Sequence, residues 1–428
     1  MLLELLANFL MYLSILAVIT SVLSAVGKYA GRPSYVRDAG ITALETPVSK
    51  PDTKWIKKLG ACFAANRIFL FMVVYLLFQA SQKSSLGFFE SFRSIWLKWD
   101  SNGYLRIAEN WYATTGDEKY DIALYPLYPL LVKVANFVIN NYFLSGLFIS
   151  NIMLLIGSYF LYKLVRLEFG ADKPAFDSVK YVLIFPFSFF FSIVYTESLF
   201  FALTVLTIYF VRRNFRLLGG IFGLLAAFSR NQGLVLILPV FVELASNIDW
   251  KQHISSRNIK VLGKDLLQIT GVTLLIPCGT FLYLLVNKLT YGNWFQFLFF
   301  QNENWSQRFG FFASNIRNFV FEAAHRGTGL SMGVFIPNII IFFMSLLLLT
   351  LCIKKLRLSY IIYTLAYLLI SFSPTWLLSG PRYISGMFTL YIMLALLIRR
   401  NLSRRLMEII LFVLLIAFSV LFASGNVF

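Results

Sequence analysis

Apolar runs alternate with short polar stretches along almost the whole chain, and the lengths of those runs predict the architecture. A helix that crosses a bilayer needs about 20 apolar residues, and somewhat fewer when two are paired in a tight hairpin. On that measure the chain predicts helices at Leu5–Val26, Ala61–Ala80, Tyr142–Tyr162, Tyr181–Tyr195, Ser198–Val211 and Leu217–Phe228. Six more follow at Gly233–Leu244, Leu266–Val286, Ile336–Ile353, Tyr360–Leu377, Tyr383–Ile398 and Leu406–Phe422. The segment Tyr125–Asn140 is apolar but short, opens with two prolines and contains Lys133. It predicts a juxtamembrane helix lying along the interface without spanning. The expectation is an all-α polytopic membrane protein of about twelve transmembrane helices with both termini outside.

Charge sets the sidedness. Basic residues cluster between the apolar runs at Lys28–Lys58, Arg212–Arg216, Lys251–Lys264, Lys354–Arg357 and Arg399–Arg405, which is the positive-inside pattern of cytoplasmic loops. The formal charge of +18 therefore reads as topology, not as a nucleic-acid surface. Only 14% of residues are charged and mean hydropathy is +0.72, against roughly 25% charged in soluble domains. The leading apolar run has Glu4 before it, lacks a basic n-region and is too long for a signal-peptide apolar core, so it reads as a retained helix. Cys62, Cys278 and Cys352 lie in or beside apolar segments at unrelated spacings, as small hydrophobes.

The polar residues outside the basic loops collect on the opposite, non-cytoplasmic face: Asp100, the acidic residues after it, Glu197, Arg230, His325, Arg326 and Arg382. Charge at a membrane boundary is expensive and usually has a cavity or a partner. The densest island runs from Trp96 to Pro129, where Asp100, Glu109, Asp117, Glu118 and Asp121 are interleaved with aromatics. One positioned carboxylate can take the proton from a sugar hydroxyl as that hydroxyl attacks an electrophile. If the electrophile is a sugar on a lipid phosphate, the leaving group needs cationic donors, and the planar fork of arginine suits phosphate. Asp100 as base with Arg230 and Arg382 as phosphate contacts meets both demands. Each residue also has a plainer role. Asp100 is a good helix N-cap, the arginines can snorkel to head groups, and Glu109, Asp117, Glu118 and Asp121 read as solvated loop charges. Glu197 sits at a tight hairpin with no adjacent counter-ion, so the two roles stand level. His325 reads as a satisfied loop histidine, and with two histidines and no ligand spacing no metal site is legible.

Several stretches resemble one family. Trp99-Asp100-Ser101-Asn102-Gly103-Tyr104-Leu105-Arg106-Ile107-Ala108 is similar to the WDSxxYxxIA signature of the PIG-V-like mannosyltransferases, whose eukaryotic members are GPI mannosyltransferase II. Leu124–Leu130 resembles that family's FPLYPLL segment, and Phe185–Ser192 leading into Tyr195–Phe200 its P-x-S-x-F-F-S…Y-[ST]-E-S-L-F run. Ser229–Gly233 resembles its SRSNG element and Gly380–Tyr383 the PRY of prokaryotic relatives. The matches keep family order from Trp96 to Tyr383, whereas Thr290–Phe335 and the first helix depart from the pattern. The resemblance implies a GT-C glycosyltransferase fold, with residues 1–60 as an N-terminal helix and basic segment. Residues 61–428 would form the catalytic domain, carrying external loops 81–141 and 288–335. It implies an inverting mannosyltransferase that takes its sugar from a polyprenyl- or dolichyl-phosphate donor and passes it to a glycolipid, glycan or protein acceptor. Asp100 takes the base role, Arg230 and Arg382 the donor phosphate, and Glu197 the acceptor or a metal. Trp99, Tyr104, Tyr128, Tyr195, His325 and Arg326 are the aromatic and polar candidates for sugar contacts. No cofactor is required by the resemblance, which leaves a divalent metal open. The membrane would be the plasma membrane of a prokaryote or the endoplasmic reticulum of a eukaryote. A transporter or flippase of lipid-linked sugars is the second reading, and it would need mid-membrane charges and internal repeats. A non-catalytic membrane subunit is the third.

Overall fold

Long apolar runs with few charges fold as helices because in lipid only a helix satisfies every backbone polar group within one segment. The computed structural model describes residues 2–29, 53–82, 87–246, 248, 259–398 and 401–425. Basic stretches of the expected cytoplasmic loops, among them Arg32, Arg37, Lys50 and Arg399-Arg400, lie outside the described residues. The helices run α1 Leu2–Tyr29, α2 Thr53–Gln82, α3 Phe88–Trp96, α4 Asp100–Asn110, α5 Leu127–Ile139 and α6 Tyr142–Phe169. Then come α7 Asp172–Ile184, α8 Glu197–Arg212, α9 Arg216–Ser229, α10 Ile237–Ser246, α11 Ile259–Tyr291 and α12 Gln296–Trp305. The series closes with α13 Phe312–His325, α14 Ile336–Cys352, α15 Leu358–Phe372, α16 Gly380–Ser385, α17 Phe388–Leu397 and α18 Asn401–Ala423.

Among the described residues six helical stretches are long and apolar enough to cross a membrane: α1, α2, α6, α11, Thr328–Cys352 (which ends in α14) and α18. A seventh arises if the turn Asp117–Ala123 and α5, bent by 107°, count as one. Four shorter apolar helices, α9, Asn231–Ser246, α15 and α17, fall below that length. The protein is all-helical and multi-pass. Large apolar side chains stay exposed on these helices, from Leu2, Phe9 and Leu16 on α1 to Ile409 and Val413 on α18, as lipid contact requires. On α5, the expected interfacial helix, Val134, Phe137 and Val138 form the exposed side.

Helix α8 is the axis of the protein. All its residues are buried except the half-buried Phe210, and it packs between α6 and α9. A helix that is apolar on every side belongs in the interior. It carries Glu197 at its N-terminus and Arg212 at its C-terminus, each sign placed where the helix dipole favours it. From one to the other is roughly 23 Å at 1.5 Å per residue.

Arg212 is not the free loop cation its surroundings predict. Its Nε donates to Glu168 at 2.7 Å, and its Nη1 lies 3.4 Å from Glu243. Arg357 donates to Glu243 from Nε at 2.9 Å, and Tyr360 donates its hydroxyl to Glu168 at 3.0 Å. This closed set ties α6, α8, α10 and α15 together at the end opposite Glu197. Lys180 and Arg404 are likewise engaged, with Asp177 and Glu408. Basic residues of the expected cytoplasmic loops thus also hold helices together.

The expected helix Tyr181–Tyr195 is not one. α7 stops at Ile184, and Phe185 is extended (φ −59°, ψ 140°) because Pro186 disfavours helical backbone in the residue before it. The following stretch as far as Thr196 is buried and largely irregular, with one 3₁₀ turn at Ser188–Phe191. Irregular backbone survives at membrane depth only where protein supplies its hydrogen bonds. Arg67, midway along α2, supplies several, from Nη2 to Leu183 O at 2.7 Å and from Nη1 to Ser188 O at 3.0 Å. Asn151 Nδ2 reaches Ser192 O at 2.9 Å, and Ser150 Oγ reaches Ile193 O at 2.5 Å. Arg67→Met would keep the bulk but remove the guanidinium donors to Leu183 O, Ser188 O and Ser192 Oγ. Leu183 O keeps Ser188 Oγ as a donor at 2.8 Å, so the expected cost is about 1–3 kcal/mol in all. The expected result is a lower melting temperature in detergent, with Arg67→Lys restoring part of it. A wild-type melting curve for the methionine variant would show the carbonyls find other donors.

The expected loop Thr290–Phe335 is mostly helical too. α12 and α13 fold within it, and Thr328–Phe335 continues into α14 through a π-helical turn at Ser331–Phe335. α12 docks on the acidic turn Asp117–Ala123, where Glu303 accepts from Tyr120 Oη at 2.9 Å and from Lys119 Nζ at 3.3 Å.

Candidate active site

Asp100 opens α4 directly after Trp99, whose φ of 54° lies in the left-handed region that large side chains avoid. The turn is pinned from several sides. Ser101 Oγ donates to Lys98 O at 2.6 Å, and Tyr195 Oη donates to the same carbonyl at 3.1 Å. A side chain at Gly103 would come within 2.5 Å of Leu124 Cδ1 and 2.8 Å of Asp121 Oδ1, so the glycine lets the acidic turn close over α4. Trp99 occupies the cap position and Asp100 does not serve as a capping side chain. Its Oδ2 instead accepts from Arg382 Nη1 at 2.9 Å.

Glu197 lies behind this pair, its side chain 1% exposed. Oε1 accepts from Arg230 Nη1 at 2.5 Å and sits 3.2 Å from Arg382 Nε, the latter an ion-pair contact without hydrogen-bond alignment. Glu197 therefore has two counter-ions that its sequence neighbourhood did not reveal. The other oxygen, Oε2, is buried without a hydrogen-bond partner. Arg230 also reaches Thr196 Oγ1 and Gln232 Oε1, both at 3.4 Å. The Tyr383 ring centre lies 4.9 Å from the Arg230 guanidinium carbon and 5.1 Å from that of Arg382. Two carboxylates and two guanidinium groups thus alternate in the order Asp100, Arg382, Glu197, Arg230. Asp100, its side chain 31% exposed, is the accessible end of the row.

The aromatic candidates divide by burial. Trp99 is 43% exposed beside Asp100. Tyr104, Tyr128 and Tyr195 are buried and packed edge to face, and Tyr128 Oη donates to Gly146 O at 3.0 Å. These three form the bed beneath the charged row and, with Tyr128 and Tyr195 fully buried, the expected sugar contacts there give way to packing. His325 and Arg326 are exposed at the end of α13, and their contacts are with Phe321, Glu322 and Trp376, away from the row. Asp121 is a half-buried partner of Arg106, bonded to Nε at 2.8 Å and Nη2 at 2.7 Å, and not the solvated charge expected. Burial pushes its carboxyl up from the usual carboxylate range, and the Arg106 guanidinium opposes that shift. Tyr383, Thr196 and Gln232 carried no expected role, although each flanks a motif residue. Among the described residues no three His, Cys, Asp or Glu side chains converge as metal ligands, and both carboxylates of the row face arginine.

No protein-family model matches the chain, and no curated protein matches it. Among solved structures it is similar to ArnT from Cupriavidus metallidurans bound to undecaprenyl phosphate, at 15% identity and a TM-score of 0.48. The match covers 81% of this chain and 63% of that one, so the chain spans less than two thirds of ArnT's length.

Proposed function

We propose that the protein is an integral membrane glycosyltransferase of GT-C type. In this reading it is a mannosyltransferase that works on the non-cytoplasmic face from a polyprenyl- or dolichyl-phosphate sugar to a glycolipid, glycan or protein acceptor. The observation that carries the reading is the convergence of Asp100, Glu197, Arg230 and Arg382, which come from four separate motif-like stretches, into one alternating row. A purely structural ion cluster would be closed, like the Glu168–Arg212–Glu243–Arg357 set. This row ends on a partly exposed carboxylate beside a strained, exposed tryptophan.

The chemistry follows from that order. The acceptor hydroxyl oxygen bonds to the anomeric carbon as the carbon–oxygen bond to phosphate breaks, and attack from the opposite side inverts the centre. The hydroxyl proton passes to Asp100, and the lipid phosphate departs as an anion. Once protonated, Asp100 loses most of its attraction for Arg382, whose guanidinium is then available to the leaving phosphate. Glu197 keeps Arg230 and Arg382 in position through the exchange.

The test is transfer of labelled sugar by the full chain in vesicles supplied with polyprenyl-phosphate-mannose and a crude lipid acceptor pool. Labelled product above empty vesicles is expected. Absence of product with that donor and with polyprenyl-phosphate-glucose would overturn the reading.

A further inference from the structure

A cleft of about 350 Å³ opens where α13 meets the connection between α15 and α16. It is lined by Ser306, Asn318, Phe321, Glu322, Thr375 and Trp376, among others. The connection is fixed with care. Gly310 N donates to Ser373 O and Thr375 N to Arg308 O, both at 2.7 Å, and buried Asn315 donates to the carbonyls of Phe372, Ser373 and Pro374. On this rigid edge Trp376 has φ 52° and is 36% exposed. Among the described residues six non-glycine positions have positive φ, and three are tryptophans, Trp99, Trp111 and Trp376, each at least 36% exposed. Tryptophan supplies only 8 of 428 residues, so the strain falls selectively on indoles held outward. Backbone strain is retained where the surrounding structure imposes it, and such positions cluster at ligand sites.

The lining has a definite chemistry. Arg326 lies over the Trp376 ring at 5.1 Å and donates to Glu322 Oε2 at 2.6 Å, which neutralises the carboxylate but leaves it able to accept hydroxyl donors. The electron-rich indole face attracts the weakly positive C–H face of a sugar ring. Ser306, Asn318 and Thr375 add neutral donors and acceptors. A net-neutral, aromatic-floored cleft with several hydroxyl partners selects against charged head groups and for neutral sugars. Trp376 is six residues from Arg382, at most about 20 Å along an extended chain.

We propose that this cleft binds a neutral glycan, the sugar portion of the acceptor, with Trp376 as the stacking platform and Glu322 as the hydroxyl acceptor. The acceptor is then a glycan or glycolipid, not a bare protein hydroxyl. The assignment rests on the glycosyltransferase reading for its role in catalysis, but binding can be measured without it. The experiment is equilibrium binding of fluorescent manno-oligosaccharides to the full chain in detergent, comparing wild type, Trp376→Ala, Glu322→Ala and Asp100→Asn. Binding by wild type, weakened at least about tenfold in the first two variants and retained by Asp100→Asn, is expected. Trp376→Phe should recover most of the affinity, and melting curves of all variants control for folding. No oligosaccharide binding by wild type, or equal binding by the Trp376 and Glu322 variants, would overturn the proposal. A lowered melting temperature in Trp376→Ala with glycan binding intact would overturn it too, and make Trp376 a structural residue. Glycan binding without any sugar transfer would spare this site while removing the proposed activity.

Discussion

Asp100→Asn is expected to lower sugar transfer at least ~100-fold while leaving the protein folded. The amide is nearly isosteric and remains an acceptor for Arg382 Nη1, now 2.9 Å away, so the row keeps its geometry. What it loses is the capacity to take the hydroxyl proton. Because Asp100 is the exposed end of the row, Arg382 retains Glu197 as its counter-charge and no buried cation is stranded. The measurement is transfer from polyprenyl-phosphate-mannose, with a melting curve on the same preparation. Activity within a few-fold of wild type would remove Asp100 as the base. Activity and melting lost together would make it a structural residue.

Glu197→Gln is expected to behave differently. Among the described residues Glu197 is the one carboxylate paired with Arg230 and is the inner partner of Arg382, so neutralising it leaves two buried guanidinium groups with a single carboxylate, Asp100, which pairs with Arg382 and not with Arg230. Removing one member of a buried ion set costs about 3–5 kcal/mol, since the remaining charge stays buried. Both activity and melting temperature should fall. The double variant Glu197→Gln with Arg230→Met restores charge balance and should recover much of the stability but not the activity, because Arg382 is still misplaced. Equal melting of Glu197→Gln and wild type would mean the cluster is solvated and the buried reading is wrong.

Much of this arrangement was legible in the sequence. The apolar runs mark most helices, and the positive-inside pattern of the basic loops puts Asp100, Glu197, Arg230 and Arg382 on one expected face; the structure brings the four into one row. The ion pairing of Glu197 was not legible, because its partners lie far along the chain in other motifs and no local spacing joins them. Arg212 and Arg357 read as loop charges because the positive-inside pattern explains every inner cation equally well. The signal against that reading was the pair of acidic residues on the same side, Glu168 and Glu243. Pro186 marks the end of α7, yet the mostly apolar residues 187–195 read as helix because hydropathy measures burial and not backbone shape. The helices in 290–335 were missed for the opposite reason: α12 and α13 are short and amphipathic or polar, and they fold against the protein without crossing anything.

Arg67 has a consequence for how the chain is made. Its carbonyl partners lie 116 and 121 residues downstream. At ordinary synthesis rates of about 5–20 residues per second, α2 emerges roughly 6–24 s before they do. During that interval a guanidinium sits midway along α2, beside Asn66 and at the start of its long apolar run, with none of its final acceptors yet made, and charge in that position is costly. Full partition of the nascent segment into lipid is therefore disfavoured until those acceptors arrive. The expected result is that stable insertion of α2 is coupled to synthesis of the stretch after α7. In a series of stalled chains, the Arg67→Met segment would resist alkaline extraction at lengths where the native segment is still released.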